Sequence, residues 1–133
     1  SDAPASLFVD LRGMSDSLQG VTLEVFGEAS MGPWNDAMRK DAQENQGDLK
    51  YDVAWNTLGE YFDHLQGRGM TPNVCSFVAA STVRINVLGR DDVALTDAQP
   101  DRMRALVAQS MEEGAMGLTS ALIYAPATYA STE

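Results

Sequence analysis

The stretch QGVTLEVFGEASMGPW, residues 19–34, decides how the rest of the chain is read. Its centre, GVTLEVFG, is rich in β-branched and aromatic residues and bounded by Gly20 and Gly27, which predicts a strand. Apart from Thr22 and Glu24 the run is apolar, the pattern of a parallel strand covered on both faces rather than of a half-exposed edge. The strand stops at Gly27 and leaves a carboxylate, Glu28, at its end, followed by small residues and a Met-Gly-Pro turn. Two readings of that acid stay open here: a solvated turn carboxylate, or a side chain on the rim of a site.

Working outward, SLFVDLRG (residues 6–13) offers a short apolar run closed by Gly13. On the other side, NDAMRKDAQENQGDLKYD (35–52) is polar and suits a short surface helix or a loop. In AWNTLGEYFDHLQGRG (54–69), Trp55, Leu58, Phe62 and Leu65 fall at helical spacing, and Gly67 stands where a C-terminal cap belongs. TPNVCSFVAA (71–80) switches to a strand-like run. DAQPDRMRALVAQSMEEGAMG (97–117) has the clearest helical pattern: Asp97 to cap it, Pro100 in the first turn, and Met103, Leu106, Val107, Ser110 and Met111 on one face before Gly114. MGLTSALIYAP (116–126) closes the series as a further apolar, strand-like run with a proline stop.

The resulting order is strand, helix, strand, helix, strand. Such alternation predicts a single α/β domain over residues 1–133, built of βα units around a parallel sheet, either doubly wound or a barrel. No GxGxxG or P-loop marks a nucleotide site, and no GxSxG elbow marks a serine nucleophile.

Composition narrows the classes of function. The 133 residues are 44% hydrophobic and 21% charged, as in an ordinary globular domain. A net charge of −10, from 19 acids and 9 bases, argues against binding a nucleic-acid backbone, which needs clustered Lys and Arg. No apolar run is long enough to span a bilayer. The single cysteine, Cys75, excludes an internal disulfide; its apolar setting reads as a buried, inert thiol, and the expected compartment is the cytoplasm.

Four stretches in series carry a family resemblance: QGVTLEVFGE…SMGP, NVCSFVAASTVRINVLG, MRALVAQSMEEGAMGLTSALIYAP and the closing YASTE. In this order and spacing they resemble the N-acyl-D-amino-acid deacylase (D-aminoacylase) branch of the amidohydrolase superfamily, over nearly the whole chain. The resemblance implies a metal-dependent hydrolase on a (β/α)8 barrel, in which zinc-activated water removes the acyl group of an N-acyl-D-amino acid. It places Glu28, at the carboxyl end of a strand, as a metal-facing side chain. Tyr124 would contact the carboxylate or carbonyl of the substrate, and Arg84 would bind a carboxylate bidentately or serve a structural ion pair.

The departures are equally specific. Such a site needs a His-X-His after the first barrel strand, further histidines and a late aspartate, whereas this chain has one histidine, His64, read as a surface residue of its helix. In ASTVR (80–84), where relatives carry a histidine in a loop, Ala80 or Ser81 stands instead. Carboxylates alone (Glu24, Glu28 and Asp36) would suit Mg²⁺ or Ca²⁺, though their spacing does not single them out. The catalytic residues stay unassigned.

The chain reads as an internal fragment, a quarter to a third of its parent and an incomplete barrel. Zinc is the family's metal, with none expected in this chain alone. The expected partners are a small N-acyl-D-amino acid and a second copy or another chain covering the exposed strands, with no nucleic acid and no membrane. A non-catalytic, self-associating or partner-binding α/β module is the alternative reading.

Overall fold

The computed structural model describes residues 3–130, so Ser1 and Asp2, and residues 131–133 of the YASTE stretch, lie outside it. Helix α1 (Ala3–Val9) and the short α2 (Met14–Ser17) lead into β1 (Leu23–Phe26). Then come α3 (Asp36–Glu44), α4 (Leu58–Arg68), β2 (Asn73–Ser76), β3 (Val78–Ala79), α5 (Ala80–Leu88), α6 (Gln99–Glu112) and β4 (Leu118–Thr119), with a 3₁₀ turn at Ala127–Tyr129. No described helix is long and apolar enough to cross a membrane.

The pairings are parallel. β1 runs beside β2 from Leu23 opposite Asn73 to Phe26 opposite Ser76, and β3 beside β4 with Val78 opposite Leu118. Only Phe77 separates β2 from β3. Its N–H donates to the Phe26 carbonyl (2.9 Å), and on the other side the Met116 N–H donates to Ser76 (2.9 Å) and Val78 to Gly117 (2.9 Å). The middle segment therefore gives its first half to β1 and its second half to β4. The architecture is mixed α/β with parallel strands, as the alternation predicts, and no closed barrel forms among the described residues.

The core is built under α4 from aromatic rings. Phe8 stacks on Tyr51 with centroids 4.5 Å apart and on Trp55 at 5.2 Å, and Trp55 meets Tyr61 at 5.4 Å. The Trp55 indole N–H donates to the Met31 carbonyl at 2.9 Å, so the largest fully buried ring also satisfies its one polar atom. α4 buries Leu58, Tyr61 and Leu65 on one stripe. Its start is closed by a capping box: Thr57 Oγ1 accepts from the Glu60 N–H at 3.2 Å, and Glu60 Oε2 accepts from the Asn56 and Thr57 N–H groups at 2.7 and 3.0 Å.

The local corrections have physical causes. Trp55 lies before α4 rather than on it, because the capping box starts the helix after Thr57. The helix runs past Gly67 and ends at Gly69, whose φ of 73° supplies the left-handed turn. ASTVR is not a loop but the opening of α5; that helix buries the successive residues Thr82, Val83 and Arg84, so it carries no one-sided apolar stripe to betray it. α6 has Pro100 in its first turn, yet Ala98 rather than Asp97 holds the capping position, and Met111 is exposed. MGLTSALIYAP pairs only over β4 and then turns. Cys75 is half-buried rather than enclosed.

Replacing Trp55 with Ala removes the ring that Phe8, Tyr61 and Met31 all contact. We expect a loss of about 3–5 kcal/mol in a denaturant titration. Glu60 supplies a second expectation. Its hydrogen bonds from the Asn56 and Thr57 amides hold the carboxyl below its ordinary value of 4.5. Its contribution is thus present above that value and fades as pH falls through the lowered one. Glu60→Gln should be less stable than wild type at neutral pH, with the gap closing on acidification.

Candidate functional site at the strand ends

Where β1, β2 and β4 end, the chain opens a depression of about 470 Å³ lined by Phe26, Gly27, Glu28, Phe77, Thr119 and Ser120, among others. Gly27 is its hinge. It sits at φ 131°, and a Cβ on it would lie 2.6 Å from the Phe77 Cβ and 2.7 Å from the Phe77 carbonyl oxygen, closer than any side chain tolerates. The Thr119 hydroxyl, arriving from β4, donates to the Gly27 carbonyl, so the ends of the outer strands are joined directly across 92 residues of sequence.

The loop after Glu28 is fastened as firmly. The buried Ser30 hydroxyl donates to the Gly32 carbonyl at 2.6 Å and accepts from the Ala79 N–H at 3.0 Å, where the chain enters α5. Gly32 runs against the backbone of α4, with the Leu58 nitrogen 2.5 Å from where its Cβ would be. Of the small residues of EASMGP, Ser30 and Gly32 are required by these approaches. Glu28 and Ala29 remain exposed at the mouth.

The other residues singled out in the sequence fall in different places. Tyr124 is 59% exposed in the turn beyond β4. Arg84 is only 6% exposed; its guanidinium donates to the Gly89 and Asp91 carbonyls at 3.3 and 3.0 Å and lies 5.5 Å from the centre of the Tyr129 ring. Among the described residues it makes no ion pair, with Glu28 or with any other acid. Glu24 points to the opposite face of β1 from Val25 and is buried. Asp36 opens α3, where it accepts from Asn56 and pairs with Arg39 at 3.4 Å.

Glu24, Glu28 and Asp36 thus do not converge, and among the described residues no three of His, Cys, Asp and Glu gather as a metal would require. His64 is not a surface residue. Three positions after Tyr61, it borders the buried stripe of α4, with its ring 5.1 Å from Trp55 and 5.9 Å from Phe8 and Nε2 buried. Sequence reasoning missed Ser30 and Thr119, whose roles depend on carbonyls brought close only by the fold.

No family model matches the chain. A D-aminoacylase of Alcaligenes xylosoxydans xylosoxydans is 30% identical over 120 residues, which is 86% of this chain and 24% of that protein. An N-acyl-D-aspartate deacylase of the same organism is 35% identical over 74 residues, 53% of this chain and 15% of its own length. Among solved structures, a D-aminoacylase described as defining a novel subset of amidohydrolases superposes with a TM-score of 0.75 at 25% identity, over 97% of this chain and 27% of that one.

Its homologues are D-aminoacylases. An N-acyl-D-glutamate deacylase of Bordetella bronchiseptica, complexed with zinc and a phosphonate inhibitor, agrees at a TM-score of 0.73 and 26% identity, over 94% of this chain and 27% of its own. The chain spans about a quarter of the length of these D-aminoacylase-type relatives.

The Gly27 hinge gives a direct test. Gly27→Ala combines a strained backbone with a clash against Phe77, and should cost about 2 kcal/mol or more in a denaturant titration. The nearby exposed Ala29→Ser should change stability by less than about 0.5 kcal/mol.

Proposed function

We propose that this chain forms part of the barrel of a metal-dependent deacylase of N-acyl-D-amino acids, supplying consecutive strands whose carboxyl ends wall the catalytic mouth. The observation that carries the reading is the superposition of 97% of the chain on a D-aminoacylase at a TM-score of 0.75. In support, the depression opens at the ends of β1, β2 and β4, and barrel enzymes gather their functional loops at strand ends.

In this reading Glu28 faces the metal from the end of β1 and the exposed Tyr124 meets the substrate. Arg84 acts by holding residues 89–91 and Tyr129 in place. The residues described do not make a zinc site by themselves, so further ligands would come from other polypeptide, and the chain alone is expected to be inactive. Its single, free thiol suits the cytoplasm.

The same sheet supports a second reading, a non-catalytic module that self-associates or binds a partner chain. Leu23, Val25 and Leu118 are 50%, 54% and 54% exposed on strands whose relatives lie within far longer chains. Further strands, from a second copy or from another chain, would cover them.

Light scattering with zinc analysis on the purified chain should find a metal-free assembly larger than a monomer. A zinc-loaded monomer that hydrolyses N-acetyl-D-amino acids would overturn this expectation. To separate the readings, residues 19–130 can replace the matching stretch of a D-aminoacylase. The deacylase reading expects a zinc-loaded chimera that turns over substrate and loses that turnover on Glu28→Gln. A folded, zinc-loaded but inert chimera favours the module.

A further inference from the structure

Glu24 is a carboxylate that the site does not use and the fold nevertheless encloses. It is 9% exposed, and its Oε1 is buried without a hydrogen-bond partner. Gly13 roofs it from the turn before α2, at a distance that leaves a Cβ there 3.6 Å from Oε1 and 3.3 Å from the Pro72 ring. Among the described residues, the groups facing it carry no compensating positive charge. From α2 comes Asp16, within hydrogen-bonding reach, and from α4 comes the buried phenol of Tyr61, whose own hydroxyl has no partner. On β2 the residue opposite is Val74. Arg12, the nearest cation in sequence, is committed to Asp10 at 3.0 Å.

A buried acid with another acid as its polar neighbour is accommodated in one way: it keeps its proton and donates it to the neighbouring carboxylate. We infer that Glu24 is held as a neutral carboxylic acid that donates to Asp16, and that this shared proton latches the α2–β1 corner and with it the strand leading to Gly27 and Glu28. Enclosure first, and the negative charge of Asp16 second, move the carboxyl above its ordinary value of 4.5.

The sign follows. An acid whose folded value is raised supports the fold fully below its unfolded value, and that support is lost as pH rises through the folded one. This is opposite to Glu60, whose contribution fades on acidification, so the sign of the slope above pH 4.5 tells the two apart and Glu24→Gln isolates Glu24. Loss of the proton places a charge between Asp16 and Tyr61 and loosens the start of β1.

The test is a ¹³C-carboxyl NMR titration of the wild-type chain, alongside urea midpoints and amide exchange at residues 21–26, from pH 4.5 to about 8. Glu24 should titrate above 4.5. The wild-type midpoint and the protection of residues 21–26 should both fall as pH rises. In Glu24→Gln both should stay flat, with a midpoint above wild type at the alkaline end. Asp16→Asn should lower the Glu24 titration point without restoring it to the ordinary value. A Glu24 carboxyl titrating at or below 4.5 in the wild type overturns the latch, as does the same pH slope in Glu24→Gln. The carboxyl titration needs no variant to fold.

Discussion

No side chain fits between Gly27 and the backbone of Phe77, and the rest of the strand-end region depends on that approach. Phe77 is the single residue between β2 and β3, and it is where the middle segment changes partner from β1 to β4. If Gly27 stood further out, Thr119 could not reach its carbonyl and the ends of β1 and β4 would part. Ser30 would lose its place under the first residue pair of α5, and Met31 its bond from Trp55. A backbone-to-backbone contact thus ties the strand ends to the aromatic core under α4.

The two acids of β1 show how one strand serves two environments. Side chains alternate along a strand, so Glu24 and Phe26 share the covered face while Leu23 and Val25 share the exposed one. Glu28, beyond the hinge, escapes that alternation because Gly27 turns the chain. One carboxylate is consequently enclosed and the other faces solvent, four residues apart in sequence. In the proposed reading the metal-facing role belongs to Glu28, whereas Glu24 acts only through the strand it anchors.

Legibility followed the strength of local signals. β1 was readable because glycines bracket a β-branched run, and α4 because Leu58 and Leu65 mark its stripe. α5 was not: Val83, Ile85 and Val87 alternate like a strand, and a helix buried on several sides has no polar face to contradict them. His64 was misread as a surface residue because its burial comes from Phe8 and Trp55, which stand far away or off the helix. The family resemblance was legible in four glycine-spaced segments, the first of which holds the close approach of Gly27 to Phe77. The placement of Arg84 was not, since a guanidinium bound to backbone carbonyls leaves no trace in side-chain chemistry.

The expectation that both faces of the sheet are covered was met on only one. Phe26 and Val78 are buried, whereas Leu23, Val25 and Leu118 stand half-exposed. A sequence that writes an apolar residue at each of these positions pays for none of them by burial within the described residues, although the transfer of such side chains from water is worth about 1.5–3 kcal/mol each. Hydrophobicity on that face is what the proposed barrel or partner chain would cover. The homologues, of which this chain matches about a quarter, have the length to provide one. The same parallel ladder thus has two sides: contacts within the chain hold the rim where Glu28 stands, while the apolar face of Leu23 and Val25 waits for the covering that the proposed assembly would supply.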